Sequence, residues 1–158
     1  MAKVALSKKQ KVLIEKLGVF MESSGMPPVQ ARIASLLLAC DKTELTFDEI
    51  QKTLMISKGA ASTAINGLLI MERIQYTTKT GDRKRYFSSR LGQIETDFEK
   101  NSVKLLEINS ILQEVLAART KATKEFNSQL KLVIDFMEFL SHEMPGLYKK
   151  WRTIKKQS

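Results

Sequence analysis

The sequence is poor in the residues that cross-link small proteins or bind zinc. It contains one cysteine, Cys40, and one histidine, His142, among 158 residues. A single cysteine excludes an internal disulfide framework, and these two side chains leave almost no material for a zinc site. With 7 Gly and 3 Pro, the composition also lacks the excess that is typical of disordered or fibrous chains. We therefore expect a folded globular protein without a metal.

Catalytic and membrane signatures are lacking as well. The sequence has no glycine-rich phosphate loop, no histidine and carboxylate set with metal-ligand spacing, and no Ser, His and Asp set beyond chance. Its first ten residues contain no apolar signal core, and its longest apolar stretch, 33–40, is far too short to span a bilayer. These absences predict a cytoplasmic protein that is not an enzyme, needs no cofactor and does not enter a membrane.

Basic residues are in excess. The chain has 26 Lys and Arg against 17 Asp and Glu, for a formal net charge of +9. This balance favours a polyanionic partner, either nucleic acid or anionic lipid. Because many basic proteins bind neither, the charge is a weak indication, and the local sequence patterns must carry the functional prediction.

Capping signals divide the first half of the chain into four predicted helices. The first spans about 7–23, and Pro28 lies near the first turn of the second, where a proline loses no helical hydrogen bond. Thr46 and Glu49 form a capping box at the start of a short third helix, and Ser57 can cap the fourth. Two short helices joined by a tight turn predict a helix-turn-helix unit.

The fourth predicted helix has one apolar and one polar face. On a helical wheel, Ala61, Ile65 and Leu68 share the face that should pack inward. The opposite face carries small or hydroxyl-bearing residues and one amide, Asn66, which suits a helix that reads base edges in a major groove. Free amides at the capped N-terminus, beside Lys58, suit a phosphate. Burial against another helix is the alternative, but Ser, Thr and Asn are poor core residues. The predicted DNA contacts on this helix are Ser57, Lys58, Gly59, Ala60, Ser62, Thr63 and Asn66.

Two β-prone runs, 74–78 and 84–87, predict a hairpin that would form a wing. Gly81, in the loop between them, can adopt the positive φ that a hairpin loop needs. The loop is basic and contains one acid, Asp82, so we predict contacts with the DNA backbone or the minor groove. A solvated surface loop is the alternative, and the nearby recognition helix favours DNA. The predicted wing contacts are Lys79, Thr80, Arg83, Lys84 and Arg85.

The second half of the chain predicts two long helices. Apolar residues recur at intervals of three and four over 91–118, interrupted by Asn101, and again over 126–144. Pro145 and Gly146 are expected to end the second helix, before a short basic amphipathic tail. The second long helix has a surplus apolar face that one neighbouring helix cannot cover, and this face predicts a homodimer. The predicted dimer interface contains Leu105, Ile108, Leu112, Val133, Met137 and Leu140.

These elements predict a mostly α fold with a small β-hairpin wing, that is, a winged helix-turn-helix flanked by long dimerisation helices. We expect three regions. An N-terminal helix over 1–24 would contribute to dimerisation, a winged helix-turn-helix DNA-binding domain would occupy 25–90, and 91–158 would form a helical dimerisation region.

Residues 27–87 resemble the MarR-like winged-helix transcriptional regulators and are most similar to the glycine betaine synthesis repressor (GbsR-type) branch. Four stretches carry the resemblance: the proline-led helix 28–40, LTFDEI at 45–50, MISKGAAS at 55–62 and GDRKRYF at 81–87. The resemblance implies that flanking helices form a dimer, that two recognition helices enter successive major grooves, and that the wings touch adjacent minor grooves. It places the family's DNA contacts on Ser57, Lys58, Ser62, Thr63, Asn66 and Arg83.

The combined features predict a sequence-specific regulator of transcription that binds double-stranded DNA. We expect it to act as a repressor and as a homodimer on a palindromic operator. A winged-helix module that binds protein or RNA without an operator is the alternative. The small outward residues of the fourth helix favour DNA, because a protein contact would prefer aromatic or aliphatic anchors.

Two further features concern small molecules. The resemblance implies an effector, and for the GbsR-type branch it implies choline, but the aromatic residues show no converging cage for a quaternary ammonium group. The effector is therefore left unidentified. Cys40 ends an apolar run, which favours a buried inert thiol over a peroxide sensor.

Overall fold

The computed structural model describes residues 3–156, and at Leu106 the backbone alone. Residues 1, 2, 157 and 158 of the predicted terminal regions lie outside the described residues. The chain forms two compact units, the first ending at Leu91 and the second beginning at Gly92. The elements are α1 (Lys8–Ser23), α2 (Pro28–Ala39), β1 (Leu45–Thr46), α3 (Phe47–Leu54), α4 (Lys58–Ile70), β2 (Ile74–Thr78), β3 (Arg85–Ser89), a 3-10 turn (Leu91–Gln93), α5 (Ile94–Ala118) and α6 (Lys124–Lys155).

The first unit combines four helices with a three-stranded antiparallel sheet in the order β1-β3-β2. The predicted hairpin is confirmed, and β1 adds a third strand. Phe87 in the central strand pairs with Leu45 on one side and Tyr76 on the other. Both Phe87 and Leu45 are buried, so the sheet closes one side of the core. The mostly helical class with a small β wing is confirmed.

Side chains from α2, α3, α4 and the sheet form the core of this unit. Ile33, Leu36, Leu45, Ile50 and Leu68 are fully buried. Burying a side chain of this size stabilises the fold by about 1.5–3 kcal/mol. The core therefore fixes α4 against α2 and α3.

The predicted helix starts are confirmed by their caps. Thr46 and Glu49 form the reciprocal capping box of α3, in which the Thr46 amide donates to the Glu49 carboxylate over 2.8 Å. Ser57 Oγ accepts from the Ala60 amide over 3.1 Å and caps α4. Between these helices, Met55 adopts the left-handed conformation, with φ of +54°, and so ends α3 sharply. These local contacts define the helix-turn-helix.

The second unit is an antiparallel pair of long helices, and here one expectation is wrong. Instead of ending at Pro145 and Gly146, α6 continues through both residues to Lys155. An internal proline costs about 3 kcal/mol relative to alanine. Contacts beyond it hold the helix against α5: Tyr148 Oη lies 2.7 Å from Ser102 Oγ, Arg152 pairs with Glu99, and Lys155 pairs with Glu95 over 2.8 Å. We attribute the continuation to this packing, and the predicted basic tail forms the last turns of α6.

Candidate nucleic-acid interface

The inner face of α4 fixes the direction of its outer face. Ala61, Ile65 and Leu68 are buried, as the helical wheel predicts, and Ala64 joins them. The outer face is solvent-exposed and free of large side chains apart from Lys58 and Ile70. The exposed residues of the predicted contact set on α4 and its cap are Ser57, Lys58, Gly59, Ser62, Thr63 and Asn66, while Ala60 is half-buried.

Gly67 lies where α4 contacts α2. A Cβ added to Gly67 would lie 3.2 Å from Cδ of Gln30 in α2 and closer still to its Nε2 atom. Gln30 therefore packs directly on the backbone of α4, and its Oε1 atom is buried without a hydrogen-bond partner among the described residues. Gly67 thus leaves room for the side-chain amide of Gln30.

A tight turn shapes the tip of the wing. The Asp82 amide donates to the Lys79 carbonyl over 3.0 Å, and Gly81 has φ of +82°, which confirms the predicted conformation. The Asp82 carboxylate accepts from Tyr86 Oη over 2.7 Å and from the Lys84 amide over 3.0 Å. The hydrogen bond from Tyr86, followed by that from Lys84, lowers the pKa of Asp82. The one acid in the loop is thus used to shape the wing.

The basic side chains of the wing differ in their surroundings. Lys79 Nζ lies 3.0 Å from Glu44 Oε2 and 4.1 Å from the ring centroid of Tyr86. Lys84 Nζ lies 3.7 Å from Asp82, which leaves it a looser ion pair. The guanidinium of Arg85 lies over another ring, that of Tyr76, at 4.7 Å.

Arg83 is exposed at the end of the wing, and among the described residues no acidic side chain pairs with it. Thr80 is exposed in the turn.

The recognition helix and the wing share one cleft of about 340 Å³. Ser62 and Asn66 line it from α4, and Arg83, Lys84 and Arg85 line it from the wing. The start of α3, including Asp48, and Phe87 also line the cleft. The fold thus brings together five of the predicted contacts from two separate elements. The other predicted contacts, Ser57, Lys58, Gly59, Ala60, Thr63, Lys79 and Thr80, are not among the lining residues.

Nothing in the sequence pattern indicates Glu44 as part of this region. Glu44 precedes β1, while Lys79 follows β2, at the opposite edge of the sheet. Lys79 reaches Glu44 by crossing the ring of Tyr86 on the central strand, and Glu44 Oε1 also accepts from Thr77 Oγ1 over 3.4 Å. The strand order, which neither segment reveals alone, creates the contact.

The predicted dimer-interface residues differ in their exposure within the second unit. Leu105, Ile108 and Val133 are solvent-exposed, whereas Leu112, Met137 and Leu140 are half-buried. Among the side chains of this pair that the structure describes, Asn109 in α5 and Ile134 in α6 are the most buried.

The described residues outside the cleft include one cysteine, Cys40. Cys40 is buried, its Sγ donates to the Lys42 carbonyl over 3.0 Å, and burial raises the pKa of the thiol. Within residues 3–156, no three His, Cys, Asp or Glu side chains are grouped so that they could hold a metal ion. None of the described helices is long and apolar enough to cross a membrane.

Comparisons of sequence give one relative at low identity. No protein-family model matches the chain. The HTH-type transcriptional regulator MmpR5 from Mycobacterium tuberculosis is 22% identical over 129 residues, which cover 82% of this chain and 78% of the relative.

Comparisons of structure give a solved transcriptional regulator with a TM-score of 0.72 and 20% identity, which covers 92% of this chain and 99% of its own. ZitR from Lactococcus lactis, described as a zinc-responsive MarR family member, is 20% identical over 85% of this chain and 98% of its own. Its TM-score of 0.39 is too low to bear on the fold. The chain therefore has a winged helix-turn-helix fold with long additional helices, and it shares this fold with a solved transcriptional regulator.

Proposed function

We propose that this chain is a transcriptional regulator that binds double-stranded DNA in a sequence-specific way. The observation that carries the proposal is the cleft in which Asn66 of α4 and Arg83 of the wing lie together. An exposed amide suits a base edge, and an exposed guanidinium suits phosphate or the minor groove. The similarity to MmpR5 and the shared fold support a regulator rather than an enzyme.

In this proposal α4 lies in the major groove. Its small outer residues would let the backbone approach the bases, and the free amides after Ser57 would bind a phosphate. The wing would lie along the neighbouring minor groove. The proposed contacts are Ser57, Lys58, Gly59, Ala60, Ser62, Thr63 and Asn66 from α4 and its cap, and Thr80, Arg83, Lys84 and Arg85 from the wing.

We further propose a homodimer on a palindromic operator. Large apolar side chains such as Phe136 and Phe139 are more than half exposed on α6, and Phe98 is similarly exposed on α5. Surfaces of this kind mark protein contacts. The three proposed regions are the dimerising helix over 1–24, the DNA-binding domain over 25–90 and the dimerisation helices over 91–158.

The finer features of the proposal rest on the resemblance of residues 27–87 to the MarR-like regulators of the GbsR-type branch. They are membership of that branch, repression of transcription and response to a small-molecule effector of unidentified chemistry. A cytoplasmic location is also proposed, because the first ten residues contain no apolar signal core and the longest apolar stretch is too short for a bilayer. A reporter gene under the chain's own upstream region tests repression: deletion of the gene should raise expression.

Binding to the chain's own upstream DNA, compared with a mixed-sequence duplex, tests the central proposal. The Asn66→Ala variant should lose about 1–3 kcal/mol of binding to the upstream fragment and little to mixed DNA. Arg83→Ala should weaken binding to both and reduce the salt slope by about 1. Asn101→Ala, an exposed asparagine of α5, is the matched control. Failure of the wild-type protein to bind either duplex, or binding of RNA alone, would contradict the proposal.

A further inference from the structure

Lys79 is held within the wing by two contacts. Its Nζ lies 3.0 Å from a carboxylate oxygen of Glu44 and 4.1 Å from the ring centroid of Tyr86. The partners are themselves fixed, because Glu44 also accepts from Thr77 and Tyr86 donates to Asp82 over 2.7 Å. For Lys79 to reach a DNA phosphate, it would have to give up an ion pair and a cation–π contact.

The other cations of the wing have a different environment. Arg83, Lys84 and Arg85 line the cleft shared with α4, and Lys79 is not among its lining residues. Arg83 has no acidic partner in the described part of the chain, so it can bind a phosphate without breaking an internal ion pair. Lys79 is thus the one of these four cations that is both paired with an acid outside the loop and located off the cleft.

We infer that Glu44 competes with DNA for Lys79 and keeps it from neutralising a phosphate, so that the wing's phosphate contacts are made by the cations that line the cleft, Arg83, Lys84 and Arg85. This inference rests on the proposed DNA-binding function. It assigns Lys79 and Glu44 a positioning role in the wing, and it separates Lys79 from the wing contacts that the sequence pattern predicts. Removal of the Glu44 charge would release Lys79 and add a cation to the DNA-binding surface.

A double-mutant cycle tests the inference, and its readout is how the DNA-binding affinity of each protein depends on salt concentration. The four proteins are wild type, Glu44→Gln, Lys79→Met and the double variant, and the probe is a fluorescein-labelled mixed-sequence duplex about three helical turns long. Each cation that neutralises a phosphate contributes about 0.9 to the slope of log Kobs against log salt. Glutamine keeps an acceptor for Thr77, and methionine is an unbranched side chain like lysine but carries no charge. Glu15→Gln, which removes the same charge from a pair with Arg32, is the matched control.

Three linked results are expected. Lys79→Met should leave the slope at the wild-type value, Glu44→Gln should steepen it by about 0.9, and the double variant should return to the wild-type value. A shallower slope for Lys79→Met alone would overturn the inference, as would an equal effect of Glu44→Gln in both backgrounds. If the wild-type protein binds no duplex at low salt, the proposed function fails and the inference fails with it. If the protein binds the duplex but the substitutions at Glu44 and Lys79 act independently on the salt slope, this inference fails and the proposed function stands.

Discussion

Asn66 in α4 and Arg83 in the wing line the same cleft, although they belong to different elements. The relationship depends on the buried face of α4, which turns Asn66 outward, and on the β2–β3 hairpin, which returns the chain past the helix. An amide that can read a base and a guanidinium that can bind a phosphate are therefore presented together.

Ser57 should contribute both to stability and to DNA binding. Its hydroxyl caps α4, so Ser57→Ala should lower the free energy of unfolding by about 1 kcal/mol. Ser57→Asp restores the cap but places a negative charge at the proposed phosphate site. This variant should be as stable as wild type in urea denaturation and should bind DNA at least about tenfold more weakly.

Ser7 provides the matched control for that experiment, because it caps α1 in the same way. Ser7→Asp should leave DNA binding near the wild-type value. Undiminished binding by Ser57→Asp would show that the N-terminus of α4 does not face a phosphate.

Gly18 leaves space for the ion-paired side chain of Arg32 where α1 packs against α2. Arg32 crosses this glycine to pair with Glu15 over 2.9 Å and with Glu22, and an added Cβ would lie 2.8 Å from Cδ of Arg32. Overpacking costs about 1–3 kcal/mol, and alanine gains roughly 1 kcal/mol over glycine in a helix. Gly18→Ala should therefore lower the free energy of unfolding by about 1 kcal/mol in urea denaturation.

Gly59 gives the opposite expectation, since a Cβ at this helical position meets no atom within 4 Å. Gly59→Ala should stabilise the protein by about 0.5–1 kcal/mol. Equal effects of the two substitutions would contradict the role assigned to Arg32.

The Glu49 carboxylate should make stability depend on pH. Burial raises its pKa, but hydrogen bonds from Lys42 and Thr46 outweigh burial, and the pKa lies below its ordinary value. A lowered pKa means that the folded state binds fewer protons than the unfolded state in this range. The contribution is therefore present above about pH 4.3, the ordinary glutamate value, and is lost as the pH falls through the folded-state pKa.

Urea denaturation at about pH 7 and about pH 3.5 measures this effect. Glu49→Gln should be less stable than wild type at the higher pH and should lose less stability on acidification. Glu114→Gln, at an exposed site on α5, should keep the wild-type difference. A Glu49→Gln profile equal to that of wild type would disprove the assignment.

The proposed dimer should depend on the apolar surface of the second unit. Ile108 is 47% exposed and Val133 is 45% exposed. An unpaired carboxylate buried in an apolar interface costs several kcal/mol. Ile108→Asp and Val133→Asp should sediment as monomers at a concentration where wild type is dimeric, whereas Met55→Asp, in the exposed turn of the helix-turn-helix, should remain dimeric. Dimeric sedimentation by both interface variants would exclude this surface.

The sequence predicts features that depend on neighbouring residues and misses those that depend on distant ones. The capping box of Thr46 and the turn at Gly81 involve residues close in the chain, and the structure confirms both. The continuation of α6 through Pro145 depends on its packing against α5, which outweighs the local preference of proline.

The wing also combines features that depend on neighbouring residues with features that depend on distant ones. Its basic residues are evident in the sequence, but their partners are not. The pairing of Lys79 with Glu44 arises from the strand order, and the cleft that joins Asn66 and Arg83 requires the folded core. Residue type thus predicts the candidates for the site, and tertiary structure determines how they are grouped.

Hydroxyl-radical footprinting of the wild-type protein on its own upstream region tests the central proposal most directly. A homodimer that places two copies of α4 in successive major grooves should protect an inverted repeat whose half-site centres lie about one helical turn, or 10–10.5 base pairs, apart. Asn66→Ala should abolish this pattern at a concentration that still gives weak, uniform protection. Uniform protection by the wild-type protein, or protection unaffected by Asn66→Ala and Arg83→Ala together, would contradict sequence-specific binding through this surface.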